Sequence, residues 1–125
     1  EFGDNDRLSA LVTALIGADL LILLSDIDGL FTDDPNTNPE ARFIDLVPHI
    51  DDELRAMGKD SASNVGTGGM SAKINAATIA TDSGADMVIA NSKDVNIIFD
   101  ILNSDNVGTL FLANKAEDFN LNNYL

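Results

Sequence analysis

Apolar residues recur at helical spacing near the start of the chain and then form a short continuous run. The first set repeats at intervals of three and four residues, which predicts one face of an amphipathic helix: Leu8, Leu11, Val12, Leu15 and Ile16. Asp4 or Asp6 can cap the beginning of this helix, and Gly17 can end it. Residues 20–24 are apolar at every position, which is typical of a strand buried on both faces of a parallel sheet.

The rest of the chain continues the alternation of strands and helices. Further strands are predicted at residues 43–47, 86–90 and 108–112. Further helices are predicted at residues 51–57 (capped by Asp51 or Asp52), 70–83 and 95–102. This order predicts an α/β domain with a mostly parallel sheet, in which ligands bind at the carboxyl ends of the strands.

More detailed expectations concern the helix at residues 70–83 and the segment before it. In the helix at residues 70–83, we expect Ile74, Ala77 and either Ala80 or Thr81 to face the core. Residues 59–69 are rich in glycine and serine, and we expect them to form a mobile loop.

Composition narrows the classes of function. A net charge of −14 with seven Lys and Arg opposes nucleic-acid binding, which needs basic patches. No apolar run approaches the roughly 20 residues of a membrane helix, so we expect no membrane partner. The chain has no cysteine, which fits a reducing compartment such as the cytoplasm. A phosphate site in so acidic a chain must use backbone N–H groups, a helix N-terminus and one or two lysines.

The octapeptide GTGGMSAK, at residues 66–73, places three glycines before a predicted helix and Lys73 in its first turn. Glycines let backbone N–H groups converge on an anion, and the helix N-terminus adds about half a positive charge. The simpler interpretation, which the octapeptide taken alone favours, is a surface loop before a helix with an exposed lysine. The spacing matches neither a Walker A motif nor G-x-G-x-x-G.

Two acidic motifs also allow a structural and a functional interpretation. In FGDND, at residues 2–6, the polar side chains can cap a helix, or one can do so while the others face a ligand. In SDIDG, Asp26 and Asp28 resemble a metal pair, but a polar turn after a buried strand is the simpler interpretation. His49 is the only histidine, and we expect it to be a surface or packing residue.

In their order along the chain, these motifs resemble one known family. FGDNDRLSALV, ADLLILLSDIDGLFTDDP, GTGGMSAK, GADMVIA and VGTLF are similar to the glutamate 5-kinase branch of the amino-acid kinase family. The resemblance runs collinearly from Phe2 to about Phe111. It implies a three-layer α/β/α sandwich with a mostly parallel sheet.

The resemblance covers only the second, nucleotide-binding half of that fold, which we assign to residues 1–113. Residues 114–125 form a polar tail that we expect to be loosely held. A glutamate-binding half with another catalytic lysine is expected earlier in a longer chain. The sequence also begins without methionine, so we expect a fragment that is inactive alone.

The resemblance further implies roles for individual residues. Lys73 corresponds to the lysine on the transferring phosphate, and Asp6 to the aspartate that orients active-site lysines. Asn5, together with Asp4, corresponds to the residues that bind the substrate. The implied nucleotide-binding residues are Ser25, Asp26, Thr67, Gly68, Gly69, Met70, Ser71, Ala72 and Lys73. Ala72 stands where the family pattern would have threonine.

The implied reaction transfers the γ-phosphoryl group of ATP to the side-chain carboxylate of L-glutamate, the first step of proline biosynthesis. Mg²⁺ is expected to be held by the phosphates and water, so Asp26 and Asp28 are not expected to form a metal site. Because the family commonly forms dimers or tetramers, a homo-oligomer is expected.

Alternatives remain open within and outside this branch. Acetylglutamate kinase, aspartokinase and UMP kinase share the fold, although the DND and TGGM motifs favour glutamate. The chain could instead be a catalytically silent nucleotide-binding module, or a structural remnant whose site stays empty.

Overall fold

The computed structural model describes the backbone of residues 4–65 and 69–125 and, within these ranges, the side chains of all residues except 4 and 59–65. The strands in this part of the chain are β1 (Leu20–Ser25), β2 (Leu30–Phe31), β3 (Phe43–Ile44), β4 (Leu46–Val47), β5 (Asp86–Asn91) and β6 (Thr109–Phe111). The helices are α1 (Asp4–Ile16), α2 (Asp52–Val65), α3 (Gly69–Ser83), α4 (Ile97–Leu102) and a short 3₁₀ helix (Leu121–Tyr124).

Four strands form the main sheet in the order β1-β5-β6-β4. β1 runs parallel to β5 and β4 runs parallel to β6, whereas β5 and β6 are antiparallel. β2 and β3 form a separate antiparallel pair. The predicted α/β class with a mostly parallel sheet is therefore confirmed.

Helix α3 lies at the centre of the packing and contacts both α1 and α2. Its predicted core face is confirmed, because Ile74, Ala77, Ala80 and Thr81 are all buried. The Thr81 hydroxyl donates to the carbonyl oxygen of Ala77 at 2.8 Å, so its burial leaves no polar atom without a partner.

Helix α2 is longer than the sequence pattern predicts. Its start is as expected, because Asp51 Oδ1 accepts a hydrogen bond from the Leu54 N–H at 2.9 Å. The expectation of a loop from residue 59 is wrong, since the helix continues to Val65. Gly58, just after the predicted end, lies inside the helix. It leaves room for α3, since a Cβ there would lie 2.6 Å from Ile74 Cδ1.

Two smaller features of strand structure also differ from expectation. The single strand predicted at residues 43–47 is divided between β3 and β4, which belong to different sheets. The short strand β2 was not among the predicted strands, and it exists because β3 supplies its partner.

The expected core face of α1 is confirmed only at Leu11, which is partly buried and packs against the core. Leu8, Val12, Leu15 and Ile16 are exposed, whereas the small residues Ala10 and Thr13 are buried. Small side chains allow α1 to approach α3 closely, which explains why the inward face lacks the large residues. β1 also differs from the expected fully buried strand, because it lies at the edge of the main sheet and Leu24 is 38% exposed.

The expectation of a loosely held C-terminal tail is also wrong. The N–H groups of Asn114 and Ala116 donate to the carbonyl oxygens of Thr81 and Asp82, each at 3.0 Å. These carbonyls lie in the last turn of α3, where they have no partner within the helix. At the other end of the tail, the Arg7 side chain on α1 donates to the Tyr124 carbonyl oxygen.

His49 is exposed, as expected, and its Nδ1 lies 3.3 Å from Asn114 Nδ2. None of the helices in the described part of the chain is both long and apolar enough to cross a bilayer.

Asp82, near the end of α3, makes stability depend on pH. Partial burial raises the pKa of this carboxyl above 3.8, an effect that Arg55 opposes and Asp118 reinforces. Because the folded pKa lies above the unfolded value, the stabilisation by the protonated form is present below pH 3.8 and is lost as the pH rises through the folded pKa. The charged form therefore destabilises the fold near neutral pH.

We therefore expect Asp82→Asn to raise Tm at about pH 7, and the gain to shrink as the pH falls toward about 4. Calorimetric melting of both proteins across this range tests the prediction. A gain that is the same at every pH would mean that the charge of Asp82 is not its cause.

Candidate functional site

The connectivity brings the first turns of two helices to one edge of the main sheet. Residues 17–19 join α1 to β1, and residues 84–85 join α3 to β5. Each helix packs on the strand that follows it, so the helix runs antiparallel to that strand. Ser25 and Asn91 end the two strands in register. The helix N-termini therefore lie at the carboxyl edge, where ligands of parallel sheets bind.

Asp6 and Lys73 meet at this edge. Lys73 Nζ donates to Asp6 Oδ2 at 3.2 Å, although the residues are 67 positions apart in the sequence. Their side chains are only 16% and 21% exposed, respectively, so the pair is partly shielded from water. Asp6 lies inside α1 rather than before it, so the expectation that Asp6 caps this helix is wrong. Its carboxylate instead joins α1 to α3.

The two residues before Asp6 lie in the first turn of α1. Asn5 is exposed in the first turn of α1, and its carbonyl oxygen accepts a hydrogen bond from Ser9 Oγ at 2.8 Å. Asp4 begins α1, but its side chain lies outside the described residues.

The octapeptide at residues 66–73 is divided by the start of α3. Gly69, Met70, Ser71 and Ala72 form the first turn of the helix, with Met70 buried and the others half-buried. This turn contains no acidic residue, so no carboxylate of its own competes for the N–H groups at the helix start. Thr67 and Gly68, with Gly66, lie outside the described residues.

Hydrogen bonds of the Ser25 side chain hold the backbone and the carboxylate that follow β1. The Ser25 side chain is buried, and its hydroxyl donates to Asp26 Oδ1 at 3.3 Å. The same hydroxyl accepts from the Ile27 N–H at 3.4 Å. Apart from this contact with Ser25, Asp26 is exposed.

Asn91 ends β5 at the same carboxyl edge of the sheet, and the sequence assigned it no specific role. Its Nδ2 donates to Asp28 Oδ1 at 3.0 Å, which joins the end of β5 to the loop after β1. Its place at the end of the second parallel strand was the available signal. Within the described residues, no three His, Cys, Asp or Glu side chains are grouped so that they could hold a metal ion.

An open cavity of about 410 Å³ adjoins the same loop. Its lining combines polar groups at the strand ends with aromatic and aliphatic side chains: Asp28, Asn91, Phe31, Phe43, Ile97 and Val107. The carboxyl edge of the sheet thus offers a concave surface at the ends of β1 and β5.

Comparison with known proteins assigns the sequence to a family. The sequence profile of the amino acid kinase family matches residues 1–91. Glutamate 5-kinase from Clostridium perfringens is 47% identical over 116 residues, which are 93% of this chain and 43% of that protein. Glutamate 5-kinase from Clostridium acetobutylicum is 54% identical over 112 residues, which are 90% of this chain and 42% of that protein. The chain therefore spans less than half the length of these relatives.

Solved structures of the same fold are more distant in sequence. Isopentenyl phosphate kinase from T. acidophilum, in a product complex, matches with a TM-score of 0.60 at 21% identity, over 85% of this chain and 38% of that chain. Carbamate kinase from Giardia lamblia, bound to AMP-PNP, matches with a TM-score of 0.59 at 22% identity, over 86% of this chain and 31% of that chain. At these identities the structures show the shared fold alone.

Proposed function

This chain belongs to the amino acid kinase family, and we propose that it forms the ATP-binding part of a glutamate 5-kinase. The reaction is transfer of the γ-phosphoryl group of ATP to the side-chain carboxylate of L-glutamate, which begins proline biosynthesis. The glutamate 5-kinases of two Clostridium species, at 47% and 54% identity, support this choice of acceptor.

The observation that carries the proposal is the ion pair between Lys73 and Asp6. A lysine whose side chain is 16% exposed, one turn inside α3, is suited to a phosphate bound at the start of that helix. In our proposal the Asp6 carboxylate fixes the direction of the Lys73 side chain through a charge-assisted hydrogen bond.

The chemistry demands electrostatic stabilisation rather than a base. The glutamate side chain is already a carboxylate at neutral pH, so no proton has to be removed. Two anions must meet, and negative charge shifts to the bridging oxygen of the departing ADP. Lys73 and the N–H groups of the first α3 turn, at Gly69–Ala72, would offset that charge in a chain with a net charge of −14. Thr67 and Gly68 are proposed to extend this cradle.

The nucleotide would lie between that turn and the loop after β1. Ser25 and Asp26 are the proposed contacts on the loop, and the 410 Å³ cavity beside it offers room for the rest of the molecule. Mg²⁺, bound to the phosphates and water, would neutralise part of their charge. In this proposal the phosphates and water hold Mg²⁺, so Asp26 and Asp28 are assigned no metal.

Asn5 and Asp4 are proposed to contact L-glutamate from the first turn of α1. Asn5 is exposed there, one residue before the Asp6 carboxylate. This geometry would place the acceptor between α1 and the phosphates that Lys73 binds. We propose further that the kinase is cytoplasmic and acts as a homo-oligomer.

The acceptor is tested on the natural product of the gene that encodes this sequence. We expect ADP release from ATP to depend on L-glutamate, and to be at least about 100-fold slower with aspartate, N-acetylglutamate or UMP, because a site built for one polar acceptor rejects others by such factors. Coupled measurement of ADP with each acceptor gives the ranking.

A faster reaction with another acceptor would retain the kinase but overturn the choice of glutamate. Binding of ATP without turnover on any acceptor would instead identify a silent nucleotide-binding module.

A further inference from the structure

Thr109, the first residue of β6, is a fully buried polar residue to which the proposed reaction assigns no role. Its hydroxyl accepts a hydrogen bond from the Leu30 N–H at 2.8 Å and donates to the Ile44 carbonyl oxygen at 2.5 Å. Leu30 and Ile44 are partners across β2 and β3. One hydroxyl therefore ties both strands of the small sheet to the main sheet.

Two glycines permit this close approach. A Cβ at Gly29 would lie 2.5 Å from Thr109 Oγ1 and 2.8 Å from the Phe43 ring. Gly108 has a φ of +72°, and a Cβ there would lie 2.3 Å from the Ile89 carbonyl oxygen. Neither position has room for a side chain. Only glycine at both positions therefore lets the backbone around Thr109 pack this closely.

Thr109 holds one end of the segment that connects β1 to β2, residues 26–29, which we call the β1–β2 loop. The other end is held where the Ser92 N–H donates to the Ser25 carbonyl oxygen at 2.7 Å. The middle of the loop is held by the hydrogen bond from Asn91 to Asp28. Because Asp28 is exposed, water competes for this bond. The buried bond at Leu30 is therefore the firmer of the two restraints after Ser25.

We infer that Thr109 is a positioning residue for the nucleotide: its hydroxyl fixes the β1–β2 loop so that Ser25 and Asp26 meet ATP. The inference rests on the proposed function. Thr109 itself contacts no substrate and acts through Leu30. Loss of the hydroxyl leaves a buried N–H and a buried carbonyl without this partner, and the loop relaxes to satisfy them.

The test compares three variants of the natural gene product. Thr109→Val keeps the shape and removes the hydroxyl, whereas Thr109→Ser keeps the hydroxyl. Thr81→Val is the matched control, because Thr81 is also buried and its hydroxyl bonds within α3. Steady-state kinetics give KM and kcat, and amide hydrogen exchange reports on the Leu30 N–H.

We expect Thr109→Val to raise KM for ATP about tenfold while kcat changes less than about twofold, as for loss of uniform binding. Exchange at Leu30 should accelerate in this variant alone. Thr109→Ser and Thr81→Val should retain the wild-type KM. If Thr109→Val does not fold, Thr109→Cys replaces it, because a thiol is a weak donor and acceptor of similar size.

An unchanged KM in a folded variant with faster exchange at Leu30 would overturn the inference and leave the proposed function intact. A tenfold rise of KM for ATP in Thr81→Val as well would also overturn the inference, since a general loss of stability would then explain the effect. A wild-type protein that binds no ATP would overturn the proposed function, and the inference with it.

Discussion

Lys73→Ala is expected to lower kcat of the natural gene product by about 100-fold or more, while Kd for ATP rises far less, by under about tenfold. The reason is that the ammonium group acts most strongly where charge develops during phosphoryl transfer, not on the bound substrate alone. Rapid-quench measurement of a single turnover, together with equilibrium binding of ATP, separates the two effects.

Lys115→Ala is the matched control for this experiment. It removes the same charge, but its side chain lies beside Gly84 at the opposite end of α3 from Lys73. Its turnover should equal that of the wild type. A Lys73→Ala enzyme with unchanged kcat would remove Lys73 from the mechanism, and equal losses in both variants would point to net charge instead.

Phe111→Ala is expected to lower the free energy of unfolding of the 125-residue chain by about 3–5 kcal/mol. Phe111 is fully buried in β6, where it pairs with Met87 on one side and Val47 on the other. Removal of the ring leaves a cavity on one face of the sheet, which the surrounding core residues fill only in part. Since small domains are stable by only about 5–15 kcal/mol, urea unfolding should show a large shift of the midpoint.

Phe99→Ala provides the comparison, because the same ring is 64% exposed on α4. It should change the free energy of unfolding by less than about 0.5 kcal/mol. Equal losses in the two variants would mean that the β5–β6 pairing does not form the core of the chain.

The alternation of strands and helices could be predicted because each buried segment carries a local signal. The run at residues 20–24, the face of α3 and the cap at Asp51 all depend on neighbours in the sequence. What could not be predicted depends on partners far along the chain. The large apolar residues of α1 indicated a core face, but most of them are exposed. Helix α1 packs against α3 through Ala10 and Thr13 instead, because small side chains allow the two helices to approach closely.

The same division applies to the candidate site. Lys73 and Asp6 could be singled out by their motifs and by family resemblance, and the contact between them follows from the packing of α1 on α3. No specific role could be predicted for Thr109 or Asn91, because each is a single polar residue at the end of a strand. Only the register of β6 and β5 brings them to Leu30 and Asp28, respectively.

The central claim is that the start of α3, with Lys73 held by Asp6, binds the phosphates of ATP. Titration of the ¹⁵N-labelled 125-residue chain with MgATP, followed by amide NMR, tests it most directly. We predict saturable shifts at residues 69–73 and 25–28, and no shift at residues 69–73 when adenosine replaces MgATP. Shifts confined to other surfaces, or equal responses of residues 69–73 to adenosine and MgATP, would contradict the claim.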